Sequence, residues 1–239
     1  HKIIAYASPF QNAVRKIAVR TGFVSKNRLR VLIFHDIPPS EEQAFARQLN
    51  WLKKDWKIIS PMEFEKLISG DAPVSGDNLM ITFDDGFKSY FENAVPILEK
   101  YNTPSIIFLN MAPINGEIFW SGLITYLCSK SPEFYQYMIN NSQFTLIEKP
   151  LYLYCSREIV NSFLKTVDNT FKDEVNEFVG DFGTGKDLKS VINNNLVYFG
   201  NHLYNHYVPL LLSDKELLES FRKNEDELDK YPNYRSLFA

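Results

Sequence analysis

Cysteine and histidine are scarce in this chain, with two and four among 239 residues. Two cysteines give no disulfide framework, and Cys128 and Cys155 lack metal-ligand spacing. They leave the cellular compartment open. No run of about eighteen apolar residues occurs, so no membrane-spanning helix is predicted. No signal-peptide pattern is read, and the start at His1 rather than Met reads as a removed upstream segment. Acidic residues are missing before Asp36, whereas Lys2, Arg15, Lys16, Arg20, Lys26, Arg28 and Arg30 precede it. With Phe10, Val14 and Ile17 at helical spacing, residues 1–29 predict a basic segment. It either packs on the domain or makes a peripheral contact with an anionic membrane. The protein is then soluble or membrane-peripheral. A net charge of −3 argues against a nucleic-acid partner.

The remaining composition is that of a globular protein, with 45% hydrophobic and 23% charged residues. Aromatics reach 15%, enough for a large core or a sugar-stacking groove. Residues 30–35 (RVLIFH) predict a buried strand, 41–54 a helix on Phe45, Leu49 and Leu52, and 57–59 a short strand. Ser60-Pro61-Met62-Glu63 is a helix start, with Ser at the cap, Pro at the first position and Glu at the third. Strands follow at 78–83 and 104–109, around a helix at 87–101 that Pro96 interrupts. Strand–helix alternation predicts a parallel sheet with helices outside it, and such sheets place their chemistry at the C-terminal ends of strands.

From about 110 to 194 the rhythm breaks into a mostly helical insertion, with helices at 119–129, 131–139, 156–171 and 173–179. Within it, 152–155 reads as extended and the glycine-rich 180–185 as a hinge. A strand at 196–199 and a capped helix from Ser213 to about residue 230 resume the pattern. Residues 235–239 read as the start of one more strand. A barrel does not close on this number of strands, so a truncated C-terminus is predicted.

The chemistry gathers at two strand ends. Thr82-Phe83-Asp84-Asp85-Gly86 places two carboxylates where an apolar run meets glycine. Neighbouring strand residues face opposite ways, so both acids reach one site only where the backbone turns, which Gly86 permits. Downstream, Gly200 delivers His202 and His206, which share a face if the loop takes a helical turn. Either motif alone also fits a plain turn or a satisfied histidine pair. Together they suggest Asp85, His202 and His206 as an N,N,O metal set with open positions, and Asp84 as a general base toward a metal-activated water. Such a set takes zinc, cobalt, nickel or manganese. His35, at the end of the first strand, and Trp120, Tyr204 and Tyr207 are candidates for lining the substrate groove, or for core.

Thr82-Phe83-Asp84-Asp85-Gly86 resembles the first motif of the polysaccharide deacetylase family, also called the NodB-homology domain or carbohydrate esterase family 4. Residues 200–206 resemble its second, H-S/T-x-x-H, and Leu32-Ile33-Phe34-His35 its opening strand. The likeness covers residues 30–103 and resumes near 196. It implies a distorted (β/α) barrel over 30–239, carrying the 110–194 insertion. It also implies Asp84 as catalytic base, a divalent metal (usually Zn2+) on Asp85, His202 and His206, and hydrolysis of an N- or O-acetyl group on a carbohydrate. The substrate would be an acetylated polysaccharide or lipid-linked glycan. Three features depart from the family: Leu203 where Ser or Thr is usual, a longer insertion, and missing later motifs. The first and third favour the alternative of a non-catalytic carbohydrate-binding protein on the same scaffold. A small-substrate amidohydrolase is a third reading.

Overall fold

The computed structural model describes residues 27–141, 151–167 and 169–239. The expected basic segment therefore lies outside the described residues up to residue 26. Six parallel strands carry the fold: β1 (Arg28–Phe34), β2 (Lys57–Ile58), β3 (Asp77–Phe83), β4 (Ser105–Leu109), β5 (Val197–Asn201) and β6 (Tyr234–Phe238). The sheet order is β1-β3-β4-β5-β6. β1 pairs along the whole of β3, while β2 and then β4 share the opposite edge of β3. Val31, Ile33, Met80, Thr82, Phe108 and Leu237, from four strands, line one cavity of about 150 Å3. The sheet is thus strongly curled, in the manner of the expected barrel. Among the described residues β1 and β6 do not pair with each other.

Helix α1 (Glu42–Asp55) buries Phe45, Leu49 and Leu52, the one-faced stripe its sequence spells. Phe45 meets Phe34 and Phe83 edge-on at 5.2 and 5.9 Å, and Phe83 meets Tyr90 at 4.7 Å. Phe45, Phe83 and Tyr90, which are fully buried, each contribute about 1.5–3 kcal/mol of apolar burial. The Tyr90 hydroxyl is kept satisfied by Ser105 Oγ at 2.9 Å. Helix α2 (Pro61–Ser69) carries the anticipated Ser60/Glu63 capping box. After β3 the helix opens with a π-turn at Tyr90–Ala94 before α3 (Val95–Lys100). Pro96 has no N–H to return to Glu92, and the ladder shifts so that Val95 N–H reaches the Tyr90 carbonyl.

Between β4 and β5 lie α4 (Met111–Ile114), α5 (Trp120–Lys130), α6 (Pro132–Asn141), a 3-10 turn (Leu151–Tyr154), α7 (Arg157–Val167), α8 (Lys172–Val179) and α9 (Gly185–Ser190). Leu123, Leu127, Phe134, Met138, Val160 and Phe163 build a second apolar cluster there, apart from the one under the sheet. Helix α10 (Asp214–Leu228) opens on the Ser213/Glu216 capping box and packs against β5. Among the described residues no helix is long and apolar enough to cross a membrane.

Three local expectations are corrected. β1 is not buried: Val31 and Ile33 are 43% and 55% exposed, because β1 has only β3 beside it. Residues 151–154 form a 3-10 turn rather than an extended piece. The glycine-rich 180–185 is pinned rather than hinge-like. Lys88 N–H donates to Asp181 O at 2.8 Å, Gly183 N–H donates to Gly86 O at 2.9 Å, and Thr184 caps α9.

Gly200 is required by its neighbour across the sheet. A Cβ there would lie 2.5 Å from the Phe108 ring. Gly200→Ala is expected to cost about 1–3 kcal/mol through overpacking. The readout is a lower urea midpoint at unchanged m-value. A wild-type midpoint would mean that Phe108 turns aside freely.

Candidate metal centre

The two carboxylates reach one place through an unusual turn. Asp84 N–H continues the ladder to Phe34 O at 3.0 Å, and the chain then leaves the sheet. Asp85 has φ 73° and Gly86 φ 94°, two left-handed residues in succession. Asp tolerates this region better than most side chains, at a cost of about 1–2 kcal/mol. Gly86 also sits close against Leu109 and Ile114, where a Cβ would lie 3.0 and 3.3 Å from their side chains. The turn is clamped by the Gly183 and Lys88 bonds already described.

The histidine loop does not form a helical turn. Leu203 and His206 both take left-handed φ, 62° and 55°, and the loop folds so that the two imidazoles lie 4.7 Å apart. Buried carboxamides hold it. Asn110, directly after β4, donates through Nδ2 to the carbonyls of His202 and Leu203. Asn201 Oδ1, at the end of β5, accepts from Leu203 N–H at 3.0 Å. Asn224 on α10 donates to that same Oδ1 at 2.8 Å and to Leu109 O at 2.7 Å, and accepts from Met111 N–H at 2.9 Å. Ser220, one turn earlier on α10, accepts from Tyr204 N–H at 3.0 Å. Leu203 itself is 4% exposed. An apolar residue thus fills the place where Ser or Thr is usual, and asparagines supply the polar fastening.

The outcome is a cluster of Asp85, His202 and His206 whose ligand atoms all lie within 4.8 Å of one another. Asp85 Oδ1 stands 3.6 Å from His202 Nε2 and 3.4 Å from His206 Nε2. Four-coordinate zinc with bonds of about 2.0–2.2 Å spaces its ligands by roughly 3.4 Å. Asp85 Oδ1 is buried without a hydrogen-bond partner. His202 Nδ1–H donates to the Ala239 carbonyl at 2.6 Å, which leaves Nε2 bare toward Asp85. Burial, aided by His206, pushes the His202 pKa down to about 4, so its ring is neutral near pH 7. Burial pushes the Asp85 carboxyl up, with His206 and His35 opposing. An oxygen without a donor beside bare ring nitrogen is an arrangement that a cation would satisfy, and these three residues could hold one.

Asp84 Oδ1 is likewise buried without a partner. Burial raises its carboxyl to about 6, His35 opposing and Asp85 adding. Asp84 also lines the cavity inside the curled sheet, with Thr82 and Phe108. His35 is exposed, and its charge acts on Asp84, Asp85 and His202. Tyr204 faces inward: its hydroxyl donates to Glu117 at 2.7 Å and Lys223 Nζ covers its ring at 3.4 Å. Trp120 is 7% exposed in the helical cluster, edge-on to Tyr207 at 5.0 Å, while Arg157 lies over Tyr207 at 4.9 Å. Phe119 meets the His206 ring at 5.5 Å.

Asn110, Asn201, Asn224 and Ser220 belong to no motif that the sequence displays. The first two carry a signal, a carboxamide at the C-terminal end of an apolar run (SIIFLN, VYFGN). Asn224 lies with Ser220 and Leu228 on a buried α10 stripe that polarity patterning assigns to solvent.

The sequence model described as polysaccharide deacetylase matches residues 71–238. YxkH of Bacillus subtilis (strain 168), whose name places it among polysaccharide deacetylases, is 27% identical over a stretch covering 34% of this chain. That stretch spans 32% of YxkH, about a third of its length. The solved structure of IcaB from Ammonifex degensii superposes with a TM-score of 0.57 at 17% identity, covering 89% of this chain and 73% of IcaB. At that identity the likeness speaks for the fold.

Truncating Asn224 would orphan Met111 N–H and release both Leu109 O and Asn201 Oδ1. Asn224→Ala is expected to lower stability by about 2–4 kcal/mol, read by urea denaturation. A loss below about 0.5 kcal/mol would show that the loop holds without it.

Proposed function

Because the chain belongs to the polysaccharide deacetylase family, we propose that it removes acetyl groups, N-acetyl foremost, from an acetylated polysaccharide or lipid-linked glycan. In this reading Asp85, His202 and His206 hold one divalent cation, zinc the first candidate, and Asp84 is the general base. The observation that carries it is Asp85 Oδ1, buried without a donor and 3.4–3.6 Å from two histidine Nε2 atoms.

When bound, the cation would supply Lewis acidity, polarising the acetyl carbonyl and acidifying water. The chain's own residues account for the rest. Asp84 Oδ1, which has no hydrogen-bond partner, takes the proton of the attacking water. Water oxygen bonds to the acetyl carbon, the C–N bond breaks, and acetate and a free amine leave. The proton gathered by Asp84 is the one the departing nitrogen needs. His202 keeps Nε2 aimed at the cluster through its Nδ1–H bond to Ala239. Asn110 and Asn201 keep the histidine loop in its left-handed path. Exposed His35 would meet substrate at the mouth, and half-buried Tyr207 would offer one face to a sugar. Buried Trp120 and Tyr204 would act by bracing the loop.

The tests pair metal content with acetate release. Wild type reconstituted with zinc, cobalt, nickel or manganese is expected to hold about one ion, and Asp85→Ala and His206→Ala none. Asp84→Asn is expected to keep the ion and lose about 10²–10⁴-fold of acetate release from N-acetylated amino-sugar oligomers. A wild type that binds no ion under any of these conditions would sink the reading, and glycan binding without turnover would become the better account. A further check bears on Leu203. Because it is buried and asparagines already hold the loop, Leu203→Ser is expected to bind the ion no more tightly than wild type. A tenfold tighter site would contradict that account of the loop.

A further inference from the structure

The two cysteines, distant in sequence, meet in the helical cluster. Cys128 lies on α5 and Cys155 just after the 3-10 turn, and their sulfurs are 3.9 Å apart and within thiol hydrogen-bonding range. Cys155 is 1% exposed, inside the apolar cluster. Cys128 is half-buried and lines a surface cavity of about 470 Å3 with Ser121, Thr125, Tyr152 and Val208. One sulfur is therefore approachable from solvent while its partner waits behind it.

We propose that Cys128 and Cys155 are a disulfide-forming pair, oxidised by thiol–disulfide exchange with a small-molecule disulfide of the glutathione type. The site stands apart from the proposed metal centre and does not depend on it. Cys128 attacks as thiolate, forming a mixed disulfide and expelling one small thiolate. Cys155 then gives its proton to that thiolate and attacks the Cys128 sulfur, expelling the second. In sum, two protein thiols and one small disulfide yield one protein disulfide and two small thiols. The order follows from access, and acidity agrees with it. The Cys155 thiol donates to the Cys128 thiolate and lowers its pKa, while that donation and burial hold the Cys155 thiol high.

Closing the bond brings the sulfurs from 3.9 Å to about 2.05 Å. It would tie α5 to the start of α7 across 27 residues of sequence. The other end of α5 adjoins the metal centre: Phe119, its N-cap, meets His206, and Trp120 meets Tyr207. Oxidation would thus stiffen the helix whose first turn backs the histidine loop.

The experiment treats the reduced full chain with oxidised glutathione and reads intact mass without reductant. Wild type is expected to lose two hydrogens, retain no glutathione and give a Cys128–Cys155 linked peptide. Its melting temperature is expected to rise by roughly 5–10 °C. Cys155→Ala, lacking the second thiol, is expected to stop with one glutathione on Cys128. Cys128→Ser is expected to take up none. A wild type that keeps both thiols, retains glutathione or links only between chains overturns the proposal. Should Cys155→Ala fail to fold, the wild-type mass and linked peptide still decide.

Discussion

The buried carboxamides between β4, β5 and α10 are the constraint on which the rest of the site depends. Asn224 alone joins the last carbonyl of β4, the first N–H of α4 and the side chain that ends β5. Asn201 passes that connection to Leu203, and Asn110 closes it from the other side. A histidine loop with two left-handed residues has no ladder of its own to hold it. In a buried setting each unpaired backbone group would cost about 1–3 kcal/mol, so three carboxamides and one hydroxyl make the loop's shape the cheapest one available. The apolar Leu203 is compatible with this because the polar work has moved to neighbours.

Legibility in the sequence followed range. Helix caps at Ser60 and Ser213 are local chemistry, and both boxes form as written. The α1 stripe and the strands at 78–83 and 196–199 are periodicity, which survives into three dimensions, although β5 runs on to Asn201. Pro96 announced a broken helix but not that a π-turn would absorb the missing bond. What failed depends on a partner that sequence order hides. β1 is composed like a core strand, yet its exposure is decided by what stands on its open edge. The segment 180–185 has the glycines of a hinge, yet its bonds to Gly86 and Lys88 come from a turn about a hundred residues away. Cys128 and Cys155 carry no motif because their closeness arises from how α5 and the 3-10 turn pack.

The helical stretch between β4 and β5 is tied into the site rather than appended to the sheet. Phe87 and Phe182 stack at 4.8 Å, and Phe119 tilts against Phe182 at 4.8 Å while reaching His206. Aromatic contacts therefore run from the carboxylate turn through the insertion to the histidine loop. Arg157, on α7, lies over Tyr207 and pairs with Glu216 on α10 at 3.0 Å, which adds a polar strap on the outer side. Both halves of the candidate centre lean on the same helical unit, so its packing bears on their spacing.

Two neighbouring residues of one type are sent to different places by backbone alone. Asp84 still obeys the β3 ladder, so its carboxylate points into the curled sheet, beside Thr82 and Phe108. Asp85 has already left it, and its positive φ carries its Oδ1 to the histidines. Had the chain stayed extended one residue longer, the two carboxylates would face opposite sides of the sheet. Had it turned one residue earlier, Asp84 would lose its ladder bond to Phe34. The Gly86 turn, held by Gly183 and crowded by Leu109, therefore decides which carboxylate faces the histidines and which stays in the cavity beside them.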